Sequence, residues 1–106
     1  MELSVFWTDF ARDKLDDIFE HHKLQSENVN VARKLVTSIV DHTIGLEKQP
    51  NMGQQEELLS DRPQKFRYLV FKSYKIIYWI NEDKKRIDIV HVFDARQDPV
   101  KMRKTK

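Results

Sequence analysis

The side chains able to do chemistry in this sequence are few in kind. It has four histidines, 19 Lys/Arg, 17 Asp/Glu and no cysteine, which removes disulfide frameworks and thiolate metal sites. His21 and His22 are neighbours on an expected helix and point about 100° apart, so they cannot share an ion as an i, i+4 pair does. His42 and His91 lie far from them in sequence, and the expectation is no metal and no cofactor. His91 could act as a general acid or base, but it sits among Ile87, Ile89 and Phe93, where a lone histidine is more often a core residue. Gly45 and Gly53 are the only glycines, so no phosphate-cradling loop can form. Asp13, Asp16, Asp17 and Glu20 read as a solvated helix face, diluted by Arg12 and Lys14. Tyr68, Tyr74, Tyr78 and Trp79 could stack bases, yet aromatics at strand period more often build a core. The basic tail, residues 101–106, either steers the protein to nucleic acid or is a disordered terminus.

The elements that must position these groups can be traced from the pattern. Glu2–Trp7 reads as a strand with Leu3, Val5 and Trp7 on one face. Thr8 or Asp9 can cap a helix whose stripe is Ala11, Leu15, Ile18, Phe19 and His22. Gln25–Asn28 breaks the period, and a second helix carries Ala32, Leu35, Val36, Ile39, Thr43 and Leu46, stopping near Lys48 ahead of Pro50. Pro50–Pro63 reads as a connection packed down by Leu58 and Leu59. The period then changes to two for Lys65–Phe71, Tyr74–Ile80 and Ile87–Phe93, an antiparallel meander. The resulting β-α-α-β-β-β order is an α+β fold, a helical hairpin packed on one face of a small antiparallel sheet.

Both sheet faces are apolar. In the last strand Ile87, Ile89, His91 and Phe93 alternate with Asp88, Val90 and Val92, and in the middle strand Ile77 and Trp79 oppose Ile76 and Tyr78. Helices cover only one face. Leaving the other in water forfeits roughly 1.5–3 kcal/mol per large side chain, so either the C-terminal tail or another protein must cover it. Arg67 is expected to pair with an acid of the helices.

A length of 106 residues, 34% of them charged, suits one domain spanning 1–106. Two glycines and three prolines argue against disorder. No apolar run approaches the ~20 residues that cross a bilayer, and Met-Glu-Leu-Ser-Val lacks a basic region before an apolar one. The expectation is a cytoplasmic protein without membrane contact. Charge is uneven: 6 Lys/Arg against 12 Asp/Glu through Asp61, then 13 against 5 from Arg62 onward. An acidic partner or polyanion would meet the second half.

Several stretches together resemble the RelE/ParE superfamily of bacterial toxins from type II toxin–antitoxin modules. They are Thr8-Asp9-Phe10-Ala11 after the opening strand, Ile44 to Pro50 followed by Met52-Gly53, Phe66 to Val70, Tyr74 to Tyr78, and Ile87 to Pro99. The likeness runs from Val5 to about Met102, and it lies closer to ParE-like members. It implies a plasmid-stabilisation or growth-inhibiting toxin bound by a cognate antitoxin. RelE-like members are ribosome-dependent mRNA ribonucleases, whereas ParE-like members poison DNA gyrase by binding. Under the nuclease alternative the matching cations are Lys72, Lys75 and Arg96, and the partners would be the ribosome and mRNA.

The C-terminal Tyr or His of the nucleases is missing from Pro99-Val100-Lys101-Met102. Lys75 stands where the family usually has Arg, and it lacks the fork that grips two phosphate oxygens. The resemblance therefore points to a gyrase-binding inhibitor that does no chemistry, with an inactive relative serving as a binding module as a third reading. The surface expected to meet target or antitoxin comprises Arg67, Lys75, Ile77, Trp79, Val90, Val92 and Arg96. The sequence leaves the oligomeric state open.

Overall fold

A computed structural model describes residues 3–105 of the chain. Glu2 of the expected first strand and Lys106 of the basic tail lie outside the described residues. Strand β1 (Ser4–Trp7) leads into helix α1 (Asp9–Ser26), where the Thr8 side chain accepts the Ala11 N–H at the N-terminus. Ala11 and Leu15 are buried, with Ile18 packed beside them. The break between helices is narrower than the polar stretch suggested. Glu27 adopts a left-handed conformation (φ 54°), and Asn28 caps α2 (Val29–His42) by accepting the Asn30 N–H at 2.9 Å.

The second helix ends earlier than its apolar repeat. After Thr43 the chain tightens into a 3₁₀ turn, Ile44–Glu47, which still delivers Leu46 to the core. The connection from Pro50 to Pro63 also holds more structure than expected. Gln54–Gln55 forms a short strand, β2, and Glu57–Leu59 a 3₁₀ turn; Leu59 is buried while Leu58 stays exposed.

Strands β3 (Arg67–Phe71), β4 (Tyr74–Asn81) and β5 (Arg86–Asp94) form the antiparallel meander. The five-stranded sheet is ordered β1-β5-β4-β3-β2, with β1 parallel to β5. The parallel pairing is possible because α1 and α2 supply the long crossover that such a pair needs. Beneath the helices lie Leu69, Ile76, Tyr78, Ile87, Ile89 and Val92.

Simple alternation fails along β5. Tyr78 pairs with Ile89 and Ile77 with His91, so Val90 is an extra residue in a β-bulge. Beyond the bulge the faces exchange. Val92 joins the helix-covered core, and Phe93 faces the opposite side. A period-two reading assigned these two residues to the reverse faces.

The chain's own segments seal the second face. Leu59, Phe66, Ile77, Val90, Phe93 and Met102 form one buried cluster, closed by a C-terminal 3₁₀ turn, Pro99–Lys104. Arg62 donates to the Thr105 carbonyl at 2.7 Å and also to that of Arg103. Arg103 in turn pairs with Asp61 at 2.6 Å. Of the two covers the pattern allowed, the tail is the one used.

Candidate functional site

The end of the meander gathers a cluster of titratable groups. Tyr74 and Asp94 are cross-strand partners, and the Ala95 N–H donates to the Ser73 carbonyl at 2.8 Å. This pairing carries the ladder one residue past the strand ends. Lys72 holds a positive φ of 52° in the tight turn, and its side chain stands in solvent. From above, α1 brings His22, whose Nε2 lies 2.9 Å from the Tyr74 hydroxyl and shares a hydrogen bond with it.

Asp94 orients Arg96. One carboxylate oxygen accepts the Arg96 Nε–H at 3.0 Å and its backbone N–H at 3.0 Å, while the other accepts Nη2–H at 2.8 Å. The Arg96 side chain is nevertheless 68% exposed. The guanidinium beside Asp94 holds that carboxyl below the usual range. Burial lowers the His22 pKa first, helped by His21, Arg96 and Lys72, with Asp94 opposing. Tyr74 is pushed up by burial and then by Asp94. At neutral pH His22 is therefore a neutral imidazole and Tyr74 a protonated phenol, with the Asp94 carboxylate bound to Arg96.

A cleft of about 750 Å³ runs from this cluster between α1 and the C-terminal segment, walled by Lys14, Asp17 and His21 on one side and Gln97 and Lys101 on the other. His91 lies in its floor, edge-on to Phe10 at 5.1 Å and to Phe93 at 5.6 Å. Its Nδ1 is buried without a hydrogen-bond partner. Burial, with Lys14 adding to it, depresses the His91 pKa to about 4. That is the behaviour of a neutral core histidine.

The structure distributes the expected site residues unevenly. Lys72 is exposed in the β3–β4 turn with its Nζ 5.8 Å from the Phe71 ring, Arg96 is bound by Asp94, and Lys75 is engaged elsewhere. Its Nζ donates to Glu56 Oε2 at 3.1 Å and lies 4.3 Å from the Tyr68 ring centroid. Ile77 and Val90 are buried beneath the C-terminal turn, and Val92 is buried under the helices, so none of the three offers an exposed surface. Arg67 pairs with no helical acid. It donates to the carbonyls of Gly53 at 2.8 Å and Asn51 at 3.4 Å, bracing the connection ahead of β2. Trp79 is half-buried and lines a second cleft of about 780 Å³ with Arg67 and Phe66.

The sequence reading missed His22 as a site residue. The signal was present, because His22 is the one titratable member of the α1 apolar stripe. Among the described residues no group of three or more His, Asp or Glu converges to hold a metal. No helix there is long and apolar enough to cross a membrane.

Residues 5–99 match the family model described as the ParE toxin of the type II toxin-antitoxin system, parDE. No curated protein matches the chain in sequence. Among solved structures the chain is similar to one described as the chromosomal ParDE TA system from P. aeruginosa. The TM-score is 0.71 and the identity 24%, over 88% of this chain and 96% of that one.

Proposed function

The chain belongs to the ParE toxin family of type II toxin–antitoxin systems, and we propose that it inhibits DNA gyrase by binding, without covalent chemistry, and is neutralised by a cognate antitoxin. One observation carries the choice of binding over RNA cleavage. Metal-free phosphodiester cleavage concentrates cations around one phosphate to stabilise the developing charge. Here the Lys75 ammonium is already held by the buried Glu56 carboxylate at 3.1 Å, and the Arg96 guanidinium by Asp94. Two of the three cations that the RelE-like reading needs are thus engaged by carboxylates of the chain itself.

Arg96, exposed and oriented at the end of β5, is the group best placed to meet a target. An acidic antitoxin segment would suit the basic second half of the chain. Adding purified protein to a gyrase supercoiling reaction tests this reading. Dose-dependent loss of supercoiling, relieved by Arg96→Ala, is the expected result. Unimpaired supercoiling at large molar excess, together with codon-positioned cuts in translated mRNA, would assign the RelE-like activity instead.

A further inference from the structure

We propose that the cleft between α1 and the C-terminal segment binds a small hydroxylated aromatic carboxylate, with His91 meeting its hydroxyl and Lys14 and Lys101 holding its carboxylate. The inference does not depend on which protein the toxin inhibits. His91 is 4% exposed and lies in the cleft floor, and its Nδ1 is buried without a hydrogen-bond partner. Buried polar atoms in folded proteins are nearly always paired, so an unpaired imidazole nitrogen beside a cleft marks a position for a ligand group. The imidazole is neutral at neutral pH, because burial and Lys14 hold its pKa down to about 4. One of its nitrogens then donates and the other accepts. A hydroxyl does either, so it satisfies Nδ1 in both tautomers.

The walls set the rest of the ligand. Phe10 and Phe93 stand edge-on to the His91 ring at 5.1 and 5.6 Å, and Ile18 lines the same cleft. Such surroundings favour a flat apolar body over a sugar or a peptide backbone, which would bury further polar groups without partners. The Lys14 Nζ stands 5.2 Å from the Phe10 ring centroid, and Lys101 lies on the opposite wall. Among the described residues neither lysine pairs with a carboxylate, and the Asp94 carboxylate is bound to Arg96. Asp17 is the remaining acid of the lining. Uncommitted cations therefore exceed uncommitted acids, which favours an anionic group. A cleft of about 750 Å³ has room for one such molecule.

The test follows the His91 ring by NMR while para-hydroxybenzoate, benzoate and phenol are each titrated into the full chain. Para-hydroxybenzoate should shift the ring saturably and bind about fivefold or more tighter than either probe that lacks one of its groups. Calorimetry then compares the variants. His91→Phe keeps an aromatic ring and removes the nitrogens, and it should abolish the preference over benzoate. The Lys14→Met/Lys101→Met double variant keeps the apolar stems and removes the charges, and it should abolish the preference over phenol. The His22 ring, held by the Tyr74 hydroxyl, reports that each variant is folded. A His91 ring that no probe moves overturns the site. So does equal affinity for the three probes, or an undiminished preference for para-hydroxybenzoate in the folded variants.

Discussion

The Tyr78 hydroxyl accepts the Gly53 N–H at 3.0 Å and donates to the Pro50 carbonyl at 2.7 Å, tying the connection after α2 to the centre of the sheet. Tyr78 is fully buried, and its bond with Gly53 is made out of water. This explains the glycine. A Cβ at Gly53 would sit 2.6 Å from the Tyr78 hydroxyl and 2.7 Å from the Tyr68 carbonyl, and the backbone atom cannot swing aside. Tyr78→Phe should cost about 1–3 kcal/mol by leaving the Gly53 N–H unpaired. Gly53→Ala should cost about 2–3 kcal/mol through overpacking. Urea unfolding of the two variants measures both, and a neutral Gly53→Ala would show that the connection is looser than this contact implies.

The cover over the second face gives a second prediction. Met102 is 1% exposed and closes the cluster around Ile77, Val90 and Phe93. Met102→Ala should destabilise the protein by about 2–3 kcal/mol. Removing residues 99–106 should expose the apolar face to an environment-sensitive dye. A truncated chain that binds no more dye than the full one would mean that this turn is not what excludes water.

Acid should unfold the protein earlier than its carboxylates alone would require. The His91 pKa is lowered to about 4 in the fold, against 6.5 for the free side chain. Between those values the unfolded chain binds the proton and the folded chain does not, so stability rises with pH across that window. It is fully present above about 6.5 and is lost on acidification towards 4, by roughly 3 kcal/mol at ~1.4 kcal/mol per pH unit. His22, also lowered, acts in the same direction. Denaturant midpoints at pH 7.5 and 4.5 for the parent and His91→Phe should show a much smaller pH dependence in the variant. Equal slopes would place the buried proton acceptor elsewhere.

Lys75 is expected to matter for stability before it matters for activity. Glu56 is 4% exposed; its second oxygen accepts the Leu58 N–H, and Lys75 neutralises its charge. Lys75→Ala should cost about 2–3 kcal/mol. That is less than the ~3–5 kcal/mol for breaking a fully buried pair, because the lysine keeps some water. Lys75→Met combined with Glu56→Gln should recover most of the loss. A non-toxic Lys75→Ala variant is therefore informative only beside its unfolding curve, and a toxic, fully stable one would contradict the pairing.

Much of this molecule was legible as periodicity. A stripe at three-to-four spacing built α1 and α2, alternation built β3 to β5, and the apolar character of both sheet faces required a second cover. These are properties of residues near one another in the chain, and burial of an apolar face rewards them in any register that hides it. What lay beyond reach needed contacts between distant residues. The bulge at Val90 reversed the faces of Val92 and Phe93, because one inserted residue exchanges every side chain after it. Glu56 rather than a phosphate claimed Lys75, across 19 positions of sequence. His22 met Tyr74 across 52, and only the packing of α1 against the sheet end brought them within hydrogen-bonding distance. The choice of cover was tertiary as well: Met102 and the Arg62 and Arg103 clasps closed a face that sequence could show to be apolar but could not show to be occupied.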